Sequence, residues 1–485
     1  MKISEIIYRG EYIVCEVEEN LELSGIKTCI SELESDDVLF IPNSEKMPDF
    51  SKTDHAPMAV VCGADAVLPS NIPAIRVVNP RFAMSNAYYR YHKPDLSNMQ
   101  IIGVTGTNGK TSTATIIHSV LQNLGYKSGF IGTGKIEIGG ENITGSDYSM
   151  TTPDPPLLYK SLKQMSDAGC KAVVMEVSSH SLALDKVAPL QFDYGIFTNL
   201  SPEHTDFHGD IDNYFSAKLK LFNNCKCGVF NIDDRYGKKA YNLCKSKKIA
   251  AGIIWRGDVW GTNIENMGFE GLSYIYHHKD FSFKMRLSLP GVYNAYNSML
   301  AAAVCIDMGL RPCDVKDMIG CISSIPGRYE IINNKITVII DYAHTPIAFE
   351  SILKELYNQK REKQLTVVFG CGGNRDKSKR PKMAKIAEKY ADKVILTSDN
   401  SRNEDPKDII ADVVRGFERG RYEVIEDRTE AITEAIISSN DSDIVAIIGK
   451  GTEKYNIDKN GYHAFDERKI VNYALQLREE KRICE

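Results

Sequence analysis

The sequence has no apolar run approaching the ~18–20 residues that a bilayer crossing needs, so no membrane association is expected. It has no excess of one charge either: 59 Lys+Arg stand against 64 Asp+Glu, a formal net charge of −5. That balance excludes a broad nucleic-acid surface and a polybasic membrane patch. Charge enters at Lys2 and Glu5, too early for the apolar region of a signal peptide, and a cytoplasmic location is expected. Metal-thiolate spacing is missing as well. Twelve cysteines are scattered along the chain and only Cys225 and Cys227 lie close together. Without a second pair they make no zinc ligand set, so reduced thiols in apolar settings are expected. No internal repeat and no low-complexity tract is present.

What remains is ordinary globular composition, 43% hydrophobic and 25% charged over 485 residues. That length is enough for about three domains. Short apolar runs at Val38–Ile41 and Met58–Cys62, punctuated by Asn43, Pro48 and Pro57, predict a small N-terminal α/β domain over residues 1–98. The polar stretch His92–Asn98 makes a linker. From Gln100 strand-like runs alternate with helix-like ones at Ala172–Val177, Phe192–Thr198 and Val229–Ile232, the pattern of a mostly parallel sheet with flanking helices. A second such series runs from Thr337 through Thr366–Phe369, Val394–Thr397 and Ile444–Ile448. The expected fold is therefore α/β in three domains: 1–98, a central phosphate-loop domain over 99–326, and a Rossmann-like C-terminal domain over 327–485.

Ile101–Thr105 predicts a buried strand, followed by Gly106-Thr107-Asn108-Gly109-Lys110-Thr111-Ser112 and a helix burying Ala114, Ile117, Leu121 and Leu124. Glycines let successive backbone N–H groups close around phosphate oxygens, and the helix N-terminus adds its positive end. Lys110 supplies a point charge and the Thr111 hydroxyl can reach Mg²⁺. The usual eight-residue pattern would begin with Gly where this chain has Val104. Nucleoside triphosphate binding is expected. Glu176 ends an apolar strand and so points into the ligand crevice. A loop with two histidines and two acids, Glu203-His204-Thr205-Asp206-Phe207-His208, follows the next strand.

These segments resemble the Mur ligases in order and spacing. The likeness includes Thr105–Thr111, Glu176–His180, His204, Tyr214–Lys218, Gly291–Asn297, Gly327-Arg328 and Asp341–Pro346, and it covers roughly residues 100–470. It is strongest to the enzymes that add the third residue of the muramoyl peptide. The resemblance implies ATP and Mg²⁺ as cofactors, and a UDP-N-acetylmuramoyl dipeptide and meso-diaminopimelate as small-molecule substrates. It implies a monomer with no nucleic-acid partner. Thr111, Glu176, His204 and Lys218 would hold metal, with Lys218 carbamylated to N6-carboxylysine. Lys110, Glu176, His204 and Lys218 would be catalytic. Asn294, Asn297, Arg328, Asp341 and His344 would join the phosphate loop against ATP. Thr151, Thr152, Ser179 and Lys186 would meet the muramoyl peptide. Arg375, Asp399, Asn400, Arg402, Gly449 and Glu453 would meet the incoming amino acid, and Arg402 is the physically sensible reader of a second carboxylate.

The chain departs from the family at Ser401 (usually Pro), Thr452 (usually His) and Lys186 (usually Arg). Lys27–Leu33 also lacks the usual Asp-Ser-Arg contact to the uridine nucleotide. Alternatives are a paralogue adding L-lysine or serving another peptide, and a nucleotide-binding subunit without catalysis. Folylpolyglutamate synthetase shares the central architecture but has no need of the Asp399–Arg402 loop.

Overall fold

The computed structural model of the chain describes residues 1–43, 47–145 and 148–484. Three large sheets follow one another along it, with a two-stranded ribbon of Tyr455–Asp458 and Gly461–Ala464 near the end. The first has five strands in the order Tyr12–Cys15, Ala74–Val77, Ala59–Gly63, Val38–Phe40, Ile26–Lys27. All neighbours are parallel except the first pair. Helix Pro80–His92 follows, opened by the Asn79 side chain, which accepts from two backbone N–H groups, and closed by Lys93 in the left-handed region.

The second sheet has eleven strands. Its parallel centre places Gln100–Thr105 between Phe192–Phe197 on one side and Ala172–Glu176 on the other. The chain therefore builds one half of the sheet from this strand, then crosses it to build the other. Ligands in open α/β sheets sit at such a switch point, outside the carboxyl ends of the strands. The central strands are buried on both faces, which is why they appear as unbroken Val/Ile runs. Helix Lys110–Asn123 packs Ala114, Ile117 and Leu121 into the core, while Leu124 lies one residue past its end and is only half-buried. Gly125, at φ +81°, supplies the left-handed residue that ends the turn.

The third sheet runs Glu330–Asn333, Thr337–Asp341, Ile444–Ile448, Leu365–Phe369, Lys393–Leu396, Glu423–Val424, again parallel after the first pair. Four adjacent strands release their carboxyl ends on one side, into Asp341–Thr345, Gly449–Glu453, Gly370–Arg375 and Thr397–Arg402. Every candidate residue of this region except Arg328 leaves from one of those four ends. Among the described residues no helix is long and apolar enough to cross a membrane. The eleven cysteines from Cys15 to Cys371 are free thiols, seven of them buried.

Candidate active site

The glycine-rich loop is held from behind by side chains of the neighbouring strand end. Thr198 Oγ1 donates to the Asn108 carbonyl at 2.6 Å, and Asn199 Oδ1 accepts from the Asn108 N–H at 3.0 Å. Gly106 (φ +151°) has no room for a side chain, because a Cβ would lie 1.9 Å from Thr198 Oγ1. Two lysines converge on its carbonyl: Lys110 Nζ donates at 3.0 Å and Lys218 Nζ at 2.9 Å. Lys218, on helix Ile211–Asn223, is 1% exposed. Burial, then the charge of Lys110, pushes its ammonium well below the usual lysine range, with Glu203 opposing.

Glu176 is fully buried at its strand end and accepts from the Thr111 hydroxyl at 2.9 Å and the Thr133 N–H at 2.9 Å. Arg328, from the chain leading into the third sheet, donates to the same Thr111 hydroxyl at 2.9 Å and lies 4.2 Å over the Tyr342 ring. Asp341 accepts from the N–H groups of Tyr329 and Ala343 at 2.6 and 2.7 Å. Burial pushes its carboxyl up, against the pull of Arg328.

Glu203 makes a further contact between the second and third regions, beside that of Arg328 with Thr111. Its Oε1 lies 2.9 Å from His344 Nε2, while His344 Nδ1 faces the Tyr342 carbonyl at 3.0 Å. Burial disfavours the Glu203 carboxylate, but the His344 hydrogen bond and the charges of His344, His204 and Lys110 outweigh it and hold the group well below the usual range. His204, at φ +55°, is pushed down to about 4 by burial, despite Glu203 beside it. It is neutral at pH 7.

Two cavities flank this contact. One, of about 550 Å³, is lined by Thr107–Ser112, Thr151, Glu176, Asn294, Arg328 and Asp341. The other, of about 420 Å³, is lined by Arg375, Asp399, Asn400, Arg402, Gly449 and Glu453. Glu203, His204, Tyr342 and His344 wall both.

Some expected residues stand outside the cavities. Asn297 shares a helix with Asn294 but is turned to the loop, with its Oδ1 only 2.5 Å from where a Gly109 Cβ would be. Thr152 is buried and joins the chain behind Glu176, its hydroxyl donating to the Glu176 carbonyl oxygen at 2.9 Å. Ser179 Oγ lies 3.0 Å from His208 Nε2, and Lys186 pairs with Asp154 at 2.7 Å. Lys218 also sits behind the loop.

On sequence Glu203 is one of two acids in a histidine-bearing loop that suggests a metal-facing segment, with no individual role for it. Sequence reasoning passed over Lys450, which is 0% exposed and donates to Asn400 Oδ1 at 2.9 Å, 3.4 Å from Glu453 and 3.8 Å from Asp399. Nothing in the spacing marks a lysine as buried. Burial disfavours the Asp399 carboxylate, but Lys450 and then Arg428 pull it below its ordinary value.

A strand, a glycine loop, a lysine and a helix N-terminus at a sheet's switch point define a phosphate-loop protein. Its relatives are more specific. Residues 104–305 match the Mur ligase middle domain and residues 327–451 the Mur ligase glutamate ligase domain. The chain is 37% identical over 429 residues to UDP-N-acetylmuramoyl-L-alanyl-D-glutamate–2,6-diaminopimelate ligase 1 of Clostridium acetobutylicum, covering 86% of this chain and 88% of that one. It is 36% identical to the ligase of the same activity from Clostridioides difficile, over 98% of this chain and 99% of the relative. A solved structure of a UDP-N-acetylmuramoyl-L-alanyl-D-glutamate–2,6-diaminopimelate ligase superposes with a TM-score of 0.67 at 27% identity, covering 99% of both chains. The chain belongs to the Mur ligase family.

Proposed function

We propose that this protein is the ATP-dependent ligase that joins meso-2,6-diaminopimelate to the D-glutamate of UDP-N-acetylmuramoyl-L-alanyl-D-glutamate in peptidoglycan precursor synthesis. The observation that carries this reading is the pair of cavities with a common wall. One ends in a phosphate cradle. The other presents two arginines, Arg375 and Arg402, and among the described residues neither forms an ion pair. Diaminopimelate differs from lysine by one carboxylate, and a guanidinium fork is the side chain that matches it.

In the first step a carboxylate oxygen of the D-glutamate attacks the γ-phosphorus of ATP and ADP leaves. In the second the acceptor amine attacks the acyl carbon, phosphate leaves and the amine loses a proton. The loop N–H groups, Lys110 and Arg328 offset the charge that gathers on the phosphoryl group. Asp341, Asn294 and Thr151 line the same cavity; the first two would meet the nucleotide and Thr151 the muramoyl peptide.

The residues fit Mg²⁺. Glu176 is a fully buried carboxylate whose described partners are hydroxyls and one N–H, with no basic group among them. Such an oxygen set suits a hard cation, with the Thr111 hydroxyl beside it. His204, being neutral, has a lone pair to give. Lys218 as an ammonium would repel a cation. Burial disfavours that ammonium, and the neutral amine can add to CO₂, forming an N–C bond and losing a proton, which would make an anionic oxygen ligand. Bound Mg²⁺ supplies positive charge against the phosphates.

One chain supplies both cavities, so a monomer suffices. The need for ATP puts the reaction in the cytoplasm, where it serves wall growth and division. Phosphate release with ATP and the UDP-dipeptide, comparing meso-diaminopimelate, L-lysine and no amine, tests the reading. Turnover with lysine alone would overturn it. A second reading, another peptide donor, is favoured by the edge of the first sheet. There Thr28, Cys29 and Ser31 are exposed and Lys27 lies 3.9 Å from Asp37, and the segment 27–33 contains no arginine. Turnover with a peptide lacking UDP would select it.

A further inference from the structure

The two arginines of the acceptor cavity carry like charges on different loops. Arg375 ends the loop after strand Leu365–Phe369, and Arg402 lies in the loop after strand Lys393–Leu396. Arg375 donates to the Asn374 carbonyl at 3.2 Å, and Arg402 to the carbonyls of Gly373 and Asn400 at 2.9 and 3.2 Å. Burial and then the charge of Arg375 both disfavour the Arg402 cation. The backbone is strained at the same places, with Asn374 at φ +51° and Arg402 at φ +53°. The like charges oppose the close approach of the two loops.

They are held by a brace outside the cavity. Arg380, at the start of helix Lys379–Tyr390, is 0% exposed. Its two terminal nitrogens each lie 3.0 Å from a different oxygen of Glu404, a bidentate pair. One also meets Asp412 at 2.9 Å and the other the Gly372 carbonyl at 3.2 Å. Glu404 accepts in turn from the Asn374 N–H and lies 3.2 Å from Lys377. The two loops touch main chain to main chain: the Gly373 N–H donates to the Asn400 carbonyl at 2.9 Å, and a Cβ on Gly373 would lie 1.9 Å from the Ser401 oxygen. Neither Arg380 nor Glu404 lines the cavity.

We propose that Arg380 and Glu404 are positioning residues for acceptor choice, fixing the spacing of Arg375 and Arg402 so that both guanidiniums meet the distal carboxylate of the acceptor. The inference rests on the diaminopimelate reading. A loosened brace weakens the contact to that carboxylate and leaves the nucleotide cavity untouched. Acceptors without the carboxylate lose nothing.

Steady-state kinetics of the full chain with ATP and the UDP-dipeptide test this, using wild type, Glu404→Gln, Arg380→Lys, Arg402→Ala and the double variant Arg402→Ala/Glu404→Gln. Glu404→Gln is expected to raise the KM for meso-diaminopimelate roughly tenfold, with kcat, the KM for ATP and the slow rate with L-lysine within about twofold of wild type. Arg380→Lys, which keeps the charge but loses the fork, should move the same constant in the same direction. In the Arg402→Ala background Glu404→Gln should add less than about twofold. Equal losses with both acceptors and ATP, or full additivity in the double variant, would overturn the proposal in favour of a general folding role. Wild type that prefers L-lysine would overturn the acceptor reading itself, before any variant is compared.

Discussion

The phosphate cradle and the acceptor wall meet at Glu203 and His344, yet they are built from different material. The cradle is main chain. Its glycines admit no side chain, its lysines point at the Gly106 carbonyl, and its rear supports are the hydroxyl and amide of Thr198 and Asn199. The acceptor wall adds, to one main-chain contact between its loops, side chains that hold side chains: Arg380 with Glu404, and Lys450 with Asn400 and Glu453. Phosphate is the same in every reaction of this type, so nothing at its end has reason to vary. An amino acid is recognised by what distinguishes it, and side-chain braces can be exchanged singly. Of the departures expected from the family pattern, Ser401 and Thr452 fall on the acceptor side, Lys186 and Lys27–Leu33 on the donor side, and Val104 at the start of the cradle.

If that contrast is right, damage to the cradle lowers kcat for all acceptors alike, and damage to the wall changes KM for one. The largest effect belongs to Lys110→Ala, expected to cut kcat roughly 10³-fold with either amine. A loss confined to one acceptor would break the comparison. Lys218→Ala should cost roughly 10²- to 10³-fold, again independent of acceptor, with partial return of activity on adding short carboxylic acids; no return would reject the carbamate. Arg402→Ala should raise the KM for meso-diaminopimelate roughly 100-fold and leave the KM for ATP unchanged. A matching rise for ATP would show that the two cavities are one site.

The smallest effect lies away from both. His118 is buried beside Ser128 Oγ at 3.0 Å, with Glu137 at 3.6 Å and Lys135 nearby. Burial, then Lys135, pushes it down to about 4 from its ordinary 6.5. The unfolded chain therefore binds this proton first, so its stability contribution is complete above pH 6.5 and is lost as pH falls towards 4. By pH 5 the loss is about 2 kcal/mol. His118→Gln should flatten that part of the stability curve in denaturant titrations, with activity at pH 7.5 unchanged. An unaltered slope would assign the acid sensitivity to another group.

Much of the site could be read along the chain because it sits where strands end. Glu176 follows a short apolar run, as do Asp341, Asp399 and Gly449, whose roles rest on the resemblance to the Mur ligases; topology brings the last three to one end of the third sheet. The phosphate loop was equally plain, since its function needs glycine and lysine at fixed spacing. Residues that act through tertiary contact were not legible. His344 meets Glu203 across 141 positions, a separation that no local pattern encodes. Helical spacing put Asn294 and Asn297 on one face without saying that Gly109 would fill the space before Asn297. Arg380 lies in a basic stretch, Lys377-Ser378-Lys379-Arg380, that is indistinguishable from a solvated helix start.

The wall that both cavities share has a consequence for economy of ATP. An acyl phosphate is open to water whenever the acceptor is absent, and every such hydrolysis spends a nucleotide without making a bond. Because Glu203 and His204 come from one sheet and Tyr342 and His344 from another, any separation of the two opens both chambers together. The activated intermediate and the amine that must capture it are then either enclosed side by side or exposed side by side. Coupling of ATP consumption to product would then depend on that seam, which the contacts of Glu203 with His344 and of Arg328 with Thr111 hold closed.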